Sequence, residues 1–338
     1  MRKVNLAIIG CGAITTNRHA PECVASDNIH LQGVFDVNLE RAQEVAEQFQ
    51  CKAYKSYDEV LSDEAVDGVI LCVSNKYHCD MTVQALQHKK HVLCEKPMAV
   101  TIDEAKKMIA VAKQEGRYLM IAHQQRFVAA NQKIKEILTT KDLGKILSFS
   151  TIFAGGGPET WSVDKTNKTW FLNKSEAGLG ALGDIGIHKA DLIRWFIGED
   201  IKYVTSVLKT LDKRDPEGNL IGIEDNGFAI LESVNGIVGT LEASWTHYGK
   251  SDNRTTFYCE KAVVEANGVS KITIYYKDKT KENELFVVQN GASGMAEAFA
   301  ECIALDKEPE ISGEEGLKAL EIVLACVESS QKHARVEI

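Results

Sequence analysis

Asp184 and His188 stand four residues apart in the run GALGDIGIHKAD (180–191), a spacing that sets both side chains on one face of a helix. A histidine there can take a hydroxyl proton, and a nearby aspartate can orient its ring and stabilise the charged form. The spacing also fits plainer roles. Asp184 follows Gly183 and could cap a helix that runs to Trp195, with Gly198 past its end. His188 could be a satisfied core residue. The pair could also hold a metal, but no third ligand stands nearby, and no metal is expected. Lys96 lies in Cys94-Glu95-Lys96-Pro97, after a strand-like run. Pro97 ends the ladder and keeps the lysine backbone extended. A lysine held there can bond a substrate hydroxyl and stabilise a developing alkoxide. The plainer reading is a surface lysine before a loop proline.

A second group is suited to phosphate. Gly10-Cys11-Gly12-Ala13-Ile14 follows an apolar run and precedes a helical stretch. Gly10 permits a tight turn. Gly12 lets the backbone approach a pyrophosphate, whose charge a helix N-terminus favours. Thr15 occupies the place of the third glycine, so a plain strand-to-helix turn also fits. Asp36 ends the next strand-like run, where an acidic side chain accepts hydrogen bonds from the adenosine ribose and repels a 2′-phosphate. NAD is therefore expected in preference to NADP. Arg41, on the following helix, is the residue that would reverse this, unless it is an ordinary solvated charge.

The elements needed to position these groups are legible as patterns. Apolar strand-like runs cover 4–9, 29–35, 67–73, 91–94 and 118–122, with helical patterns over 39–49, 79–88 and 102–115. This alternation predicts a parallel sheet covered on both faces. After about His123 the style changes. A helix is predicted over 129–138, a strand over 146–153 and a polar, glycine-rich loop over 155–158. Further strands are predicted over 203–208, 228–232, 237–245, 255–259, 262–266, 272–276 and 285–288, with turn signals at 234–236 and 266–268. Helices over 294–305 and 314–333 follow. The expected fold class is α/β: an N-terminal Rossmann parallel sheet, then an α+β domain with a large, mainly antiparallel sheet. Residues 1–122 would bind the dinucleotide. Residues 123–338 would bind substrate and oligomerise, with the C-terminal helix packing back on the first domain. A ligand would lie between the two, at the carboxyl ends of the parallel strands.

Composition narrows the partners. The net charge is −9 over 338 residues and no Lys/Arg-rich run appears, which argues against nucleic acid or an acidic membrane surface. No apolar stretch approaches the ~20 residues of a membrane span. Met1-Arg2-Lys3-Val4 runs directly into a strand pattern, with no signal-peptide core. The nine cysteines are scattered without a C-x-x-C pair, so they read as core fillers in a reducing compartment, and the cytoplasm is expected.

Glu95-Lys96-Pro97, behind a GCGAI opening, resembles the signature of the Gfo/Idh/MocA oxidoreductases, the relatives of glucose–fructose oxidoreductase and inositol dehydrogenase. Ser74-Asn75-Lys76-Tyr77-His78 is similar to the family's N-x-x-H turn along the cofactor. His123-Gln124-Gln125-Arg126-Phe127 resembles the stretch that begins its second domain, with Gln124 where the family usually has Asn. The run around 180–191 resembles G-G-x-x-x-D-x-G-x-H-x-x-D, with Leu179 in place of a glycine. The resemblance implies that Lys96, Asp184 and His188 form a catalytic trio. It implies cofactor contacts from Gly10, Cys11, Gly12, Ala13, Ile14, Asp36, Ser74, Asn75, His78, Glu95 and Gln124. The implied reaction is reversible oxidation of a secondary hydroxyl on a sugar, sugar derivative or cyclitol. His188 would take the proton, Lys96 polarise the oxygen and Asp184 tune His188. An open sheet face would be buried in a homodimer or homotetramer. Two other readings stand beside this one: a glycosidase that uses NAD transiently, and a non-catalytic NAD-binding regulator, which retention of the trio disfavours. Trp161, Trp170 and 245–248 could line a polyol pocket or simply pack, and Arg126 reads as structural.

Overall fold

The computed structural model describes residues 2–163, 165–289 and 291–338. The first part contains β1 (Val4–Ile9), α1 (Ala20–Ala25), β2 (Ile29–Phe35), α2 (Leu39–Phe49), β3 (Lys52–Ala53), α3 (Tyr57–Ser62), β4 (Gly68–Leu71), α4 (His78–Gln87), β5 (His91–Cys94), α5 (Ile102–Glu115) and β6 (Leu119–Ile121). Its six strands are all parallel, in the order β3-β2-β1-β4-β5-β6. The central strands are apolar at nearly every position because helices cover both faces, and all four residues of β4 are buried. Strand order reverses between β1 and β4. This opens a crevice at the carboxyl ends, where the Gly10–Ile14 turn, residues 72–75 and Glu95-Lys96 converge. The predicted strand 67–73 is shorter, because the chain turns at Cys72 toward this crevice. The short elements α1, β3 and α3 carry too little periodicity to be read from sequence.

The second part contains α6 (Ala129–Thr140), β7 (Ile146–Ala154), α7 (Lys174–Ala177), α8 (Ile187–Ile197), β8 (Ile201–Lys209), β9 (Asn226–Ser233), β10 (Val238–Ser244), β11 (Asp252–Cys259), β12 (Ala262–Asn267), β13 (Lys271–Tyr276), β14 (Glu284–Val287), α9 (Met295–Leu305), α10 (Gly313–Lys332) and β15 (Val336–Glu337). Its sheet runs β14-β13-β12-β11-β7-β10-β9-β8-β15. Seven neighbouring pairs are antiparallel, and β7 and β10 are parallel. That central pair matters for the site. Ala154 lies opposite Ser244, so the chain leaves both strands at the same end, and Gly155 and Trp245 emerge side by side.

Helices α8 and α10 cover one face of this sheet. The other face leaves Val207, Phe228, Ile230, Val238 and Tyr258 exposed. Helix α10 also reaches the first sheet. Ile121 N donates to Ile311 O at 2.9 Å. A side chain on Gly316 would come within 2.6 Å of Ile121, so only glycine lets the helix approach that closely. Among the described residues, no helix is long and apolar enough to cross a membrane.

Candidate active site

One cavity of about 440 Å³ lies where the two parts meet. Gly12, Ala13, Ile14, Asn75, Glu95 and Lys96 line it from the first part, and Phe153, Gly155, Trp170, Asp184, His188 and Trp245 from the second.

Residues 182–186 form a π-helical turn that leads directly into α8. Asp184 lies inside this turn and donates its amide to Gly180 O at 2.9 Å, so it is not the cap of the helix. Wider winding displaces carbonyls from the regular helical pattern. Here the Asp184 carbonyl oxygen accepts from Lys96 Nζ at 2.8 Å, and Asp184 Oδ1 accepts from the same ammonium at 2.8 Å. Trp245 Nε1 donates to Asp184 Oδ2 at 3.3 Å. Both carboxylate oxygens are therefore committed to Lys96 and Trp245. No hydrogen bond joins Asp184 to His188 among the described residues; the aspartate's side-chain bonds go to the lysine and Trp245. Glu224 fixes the turn from behind, its Oε1 accepting from Gly180 N at 3.0 Å and Leu182 N at 3.2 Å.

His188 follows on the cavity wall, its ring 6.1 Å from that of Phe153. Its Nδ1 is buried and has no partner among the described residues. Burial, then the Lys96 ammonium, hold its imidazole well below its ordinary range, which favours the neutral ring. His123, buried nearby, is likewise pushed down by burial, and both its nitrogens lack partners.

The cofactor side divides into residues on the wall and residues that shape it. Gly10 adopts φ 94°, and a side chain there would lie 2.3 Å from Cys72 O. Gly12 has open space where a side chain would project. Asp36 Oδ2 accepts from Cys11 N at 2.7 Å and Oδ1 from Asn38 N at 2.8 Å, which ties the end of β2 to the turn. Arg41 and Gln124 line the cavity. Glu95 Oε1 meets His19 Nε2 at 2.8 Å, both buried. Burial opposes charge on His19, but Cys72 and Glu95 lift its ring to about 10. Burial likewise raises Glu95, while His19 and Lys96 hold its carboxyl below the ordinary value.

Three predicted cofactor contacts have structural partners instead. Ser74 Oγ donates to Glu176 at 3.1 Å, and Asn75 Nδ2 to Ala177 O at 2.8 Å, joining the first part to α7. Asn75 still lines the cavity, whereas Ser74 does not. His78 lies deeper. Its buried ring spans Pro97 O at 2.7 Å and Val73 O at 3.1 Å, so it joins the two loops behind the wall and does not line the cavity. Arg126 pairs with Asp191, the two being 4% and 0% exposed. His19, His123 and Glu224 were not singled out from the sequence. His19 and Glu224 contribute through long-range bonds that leave no local pattern.

Comparison with known proteins places this geometry. Residues 4–123 match the family model described as an oxidoreductase family with an NAD-binding Rossmann fold. Residues 131–265 match the GFO/IDH/MocA C-terminal domain. The chain belongs to the Gfo/Idh/MocA oxidoreductase family. It is an NAD-dependent oxidoreductase by that membership. The oxidoreductase is 25% identical to myo-inositol 2-dehydrogenase of Thermotoga maritima over 343 residues, covering 99% of this chain and 98% of that protein. It is 29% identical to D-glucoside 3-dehydrogenase of Escherichia coli over 253 residues, covering 72% and 70%. Aldose–aldose oxidoreductase from Caulobacter crescentus, solved with glycerol, superposes with a TM-score of 0.88 at 25% identity, covering all of both chains.

The residues present fit a dinucleotide. The bare Gly12 surface faces the cavity, helical structure follows the turn, and Gln124 Oε1 is a buried acceptor without a partner on the cavity wall.

Proposed function

We propose that this oxidoreductase oxidises a secondary hydroxyl of a sugar, sugar derivative or cyclitol, with Lys96, Asp184 and His188 as its catalytic residues. The observation that carries this reading is the shared cavity wall: the Lys96–Asp184 pair and His188 face the space beside the Gly12–Ile14 turn. Bound NAD supplies the hydride acceptor. Gly12, Ala13 and Ile14 would pack against its pyrophosphate, with Gln124 an acceptor deeper in the site. Lys96, fixed by two Asp184 oxygens, donates toward the substrate hydroxyl oxygen and stabilises the charge that develops there. His188 accepts the hydroxyl proton. Asp184 acts on the lysine, with Trp245 fixing its second oxygen. Residues 1–122 serve as the cofactor unit and 123–338 as the substrate unit.

Purified protein is expected to reduce NAD with members of a panel of inositols and hexoses. His188→Asn is expected to lower turnover by ~10²–10⁴-fold with little change in NAD affinity. Near-normal turnover in that variant, or turnover without accumulation of NADH as in the glycosidase reading, overturns the proposal. The exposed apolar strand face supports a homodimer or homotetramer, which sedimentation measures directly.

A further inference from the structure

We infer that the substrate half of the cavity is built for a neutral glycoside, a pyranose carrying a group on its anomeric oxygen, which stacks on Trp161, Phe171 and Trp170. This rests on the dehydrogenase reading and names the substrate class within it.

Charge is the first argument. The ionisable Asp, Glu, Lys and Arg side chains on the described cavity wall are Arg41, Glu95, Lys96 and Asp184. Arg41 follows Asp36 on α2, at the cofactor end, and Glu95 is held by His19. Lys96 and Asp184 neutralise each other. The buried cation behind the glycine-rich loop, Lys213, is committed to Glu159 and to Gly156 O. A phosphate or carboxylate brought into this half would lose hydration and meet no uncommitted cation among these groups.

Shape is the second. The aromatic wall is continuous: Trp170 stacks on Phe171 at 3.8 Å, and Trp161 meets Phe171 edge-on at 4.7 Å. Trp245, 1% exposed and bonded to Asp184, lines the same cavity at its buried end, and Trp161 is 42% exposed at the rim. A hydroxyl delivered to Lys96 and His188 places the sugar ring at the buried end. The rim aromatics then have nothing to cover unless the molecule extends outward along them. Sugar C–H faces and an aglycone both pack on such rings.

The third argument is an orphan. Ser162 Oγ is buried on the cavity wall with no partner among the described residues. A buried hydroxyl left unpaired is costly, and a ring hydroxyl of a neutral sugar satisfies it.

The test compares phenyl β-glucoside, methyl β-glucoside, glucose, glucose 6-phosphate and myo-inositol as substrates with NAD. Phenyl β-glucoside is expected to have a KM about tenfold below that of glucose. Trp161→Ala is expected to remove that advantage by raising KM for phenyl β-glucoside about tenfold, and Trp161→Phe to restore part of it. Ser162→Ala is expected to raise KM for every sugar. Binding is read separately on protein loaded with NADH, which cannot oxidise the sugar, by quenching of tryptophan fluorescence. A kcat/KM for glucose 6-phosphate or myo-inositol at or above that of the glycosides overturns the glycoside pocket and leaves the dehydrogenase reading intact. A KM unmoved by Trp161→Ala overturns it likewise. Glycoside binding with no NADH formed from any sugar overturns the dehydrogenase reading and retains the pocket.

Discussion

Lys96 bonds twice to one residue: its ammonium lies 2.8 Å from both Oδ1 and the main-chain carbonyl oxygen of Asp184. Two acceptors fixed by the same π turn leave the lysine little freedom to leave the cavity wall. Asp184→Asn keeps the carbonyl acceptor and removes the charge. It is expected to lower kcat by ~10²-fold or more while NAD affinity stays within a few-fold. Lys96→Ala leaves the 5%-exposed Asp184 carboxylate without its cation. It is expected to cost about 3–5 kcal/mol in urea unfolding as well as turnover.

Asp36 has a second task beside any ribose. It accepts from Cys11 N and Asn38 N, so it also holds the phosphate turn in place. Asp36→Ala is expected to weaken NAD binding by about 1.5–3 kcal/mol and to narrow the gap between NAD and NADP. Fluorescence titration with both cofactors measures this, and a strong NADP preference in the unaltered protein contradicts it.

Lys189 is buried between α8 and the sheet, its Nζ 3.1 Å from Thr255 Oγ1, and burial pushes it down to about 7. The folded state therefore holds fewer protons than the unfolded state between about 7 and 10.5, and stability rises with pH across that window. Lys189→Met removes the penalty. Its stabilisation is expected to be greatest below pH about 7 and to vanish above about 10.5. Urea unfolding across the window checks it, and a gain independent of pH contradicts it.

Arg126 clasps Asp191 through two nitrogens, at 2.9 and 2.6 Å, and reaches Glu315 on α10 at 2.7 Å. Removing one member strands a buried charge. Asp191→Ala is expected to cost about 3–5 kcal/mol in unfolding experiments. Asp191→Asn, which keeps acceptor oxygen and shape, is expected to cost less.

The fold was legible wherever burial imposes a period. Strands β1, β2 and β5 and helices α2 and α5 have the boundaries the sequence predicts, because continuous burial or one apolar stripe marks each. The GxG turn, Lys96 and the Asp184–His188 run were legible as local motifs. Pairings across the chain were not. Asp184 and His188 share a helical register, yet the bond that matters reaches Lys96, 88 positions away. His78 reads as a cofactor contact through its resemblance to the family's N-x-x-H turn, while its ring faces two carbonyls behind the wall. The parallel β7–β10 pair also escaped a strand-by-strand reading, since direction depends on the long excursion between them.

The clasp of α10 on the first sheet bears on how the chain is made. The flank of β6 is completed by Ile311, Ser312 and Gly316, residues synthesised long after it. A nascent first domain emerging from the ribosome therefore lacks the cover for Leu119 and Ile121, and carries an open apolar edge while the rest is translated. The cofactor half acquires its finished surface only when the substrate half is nearly complete.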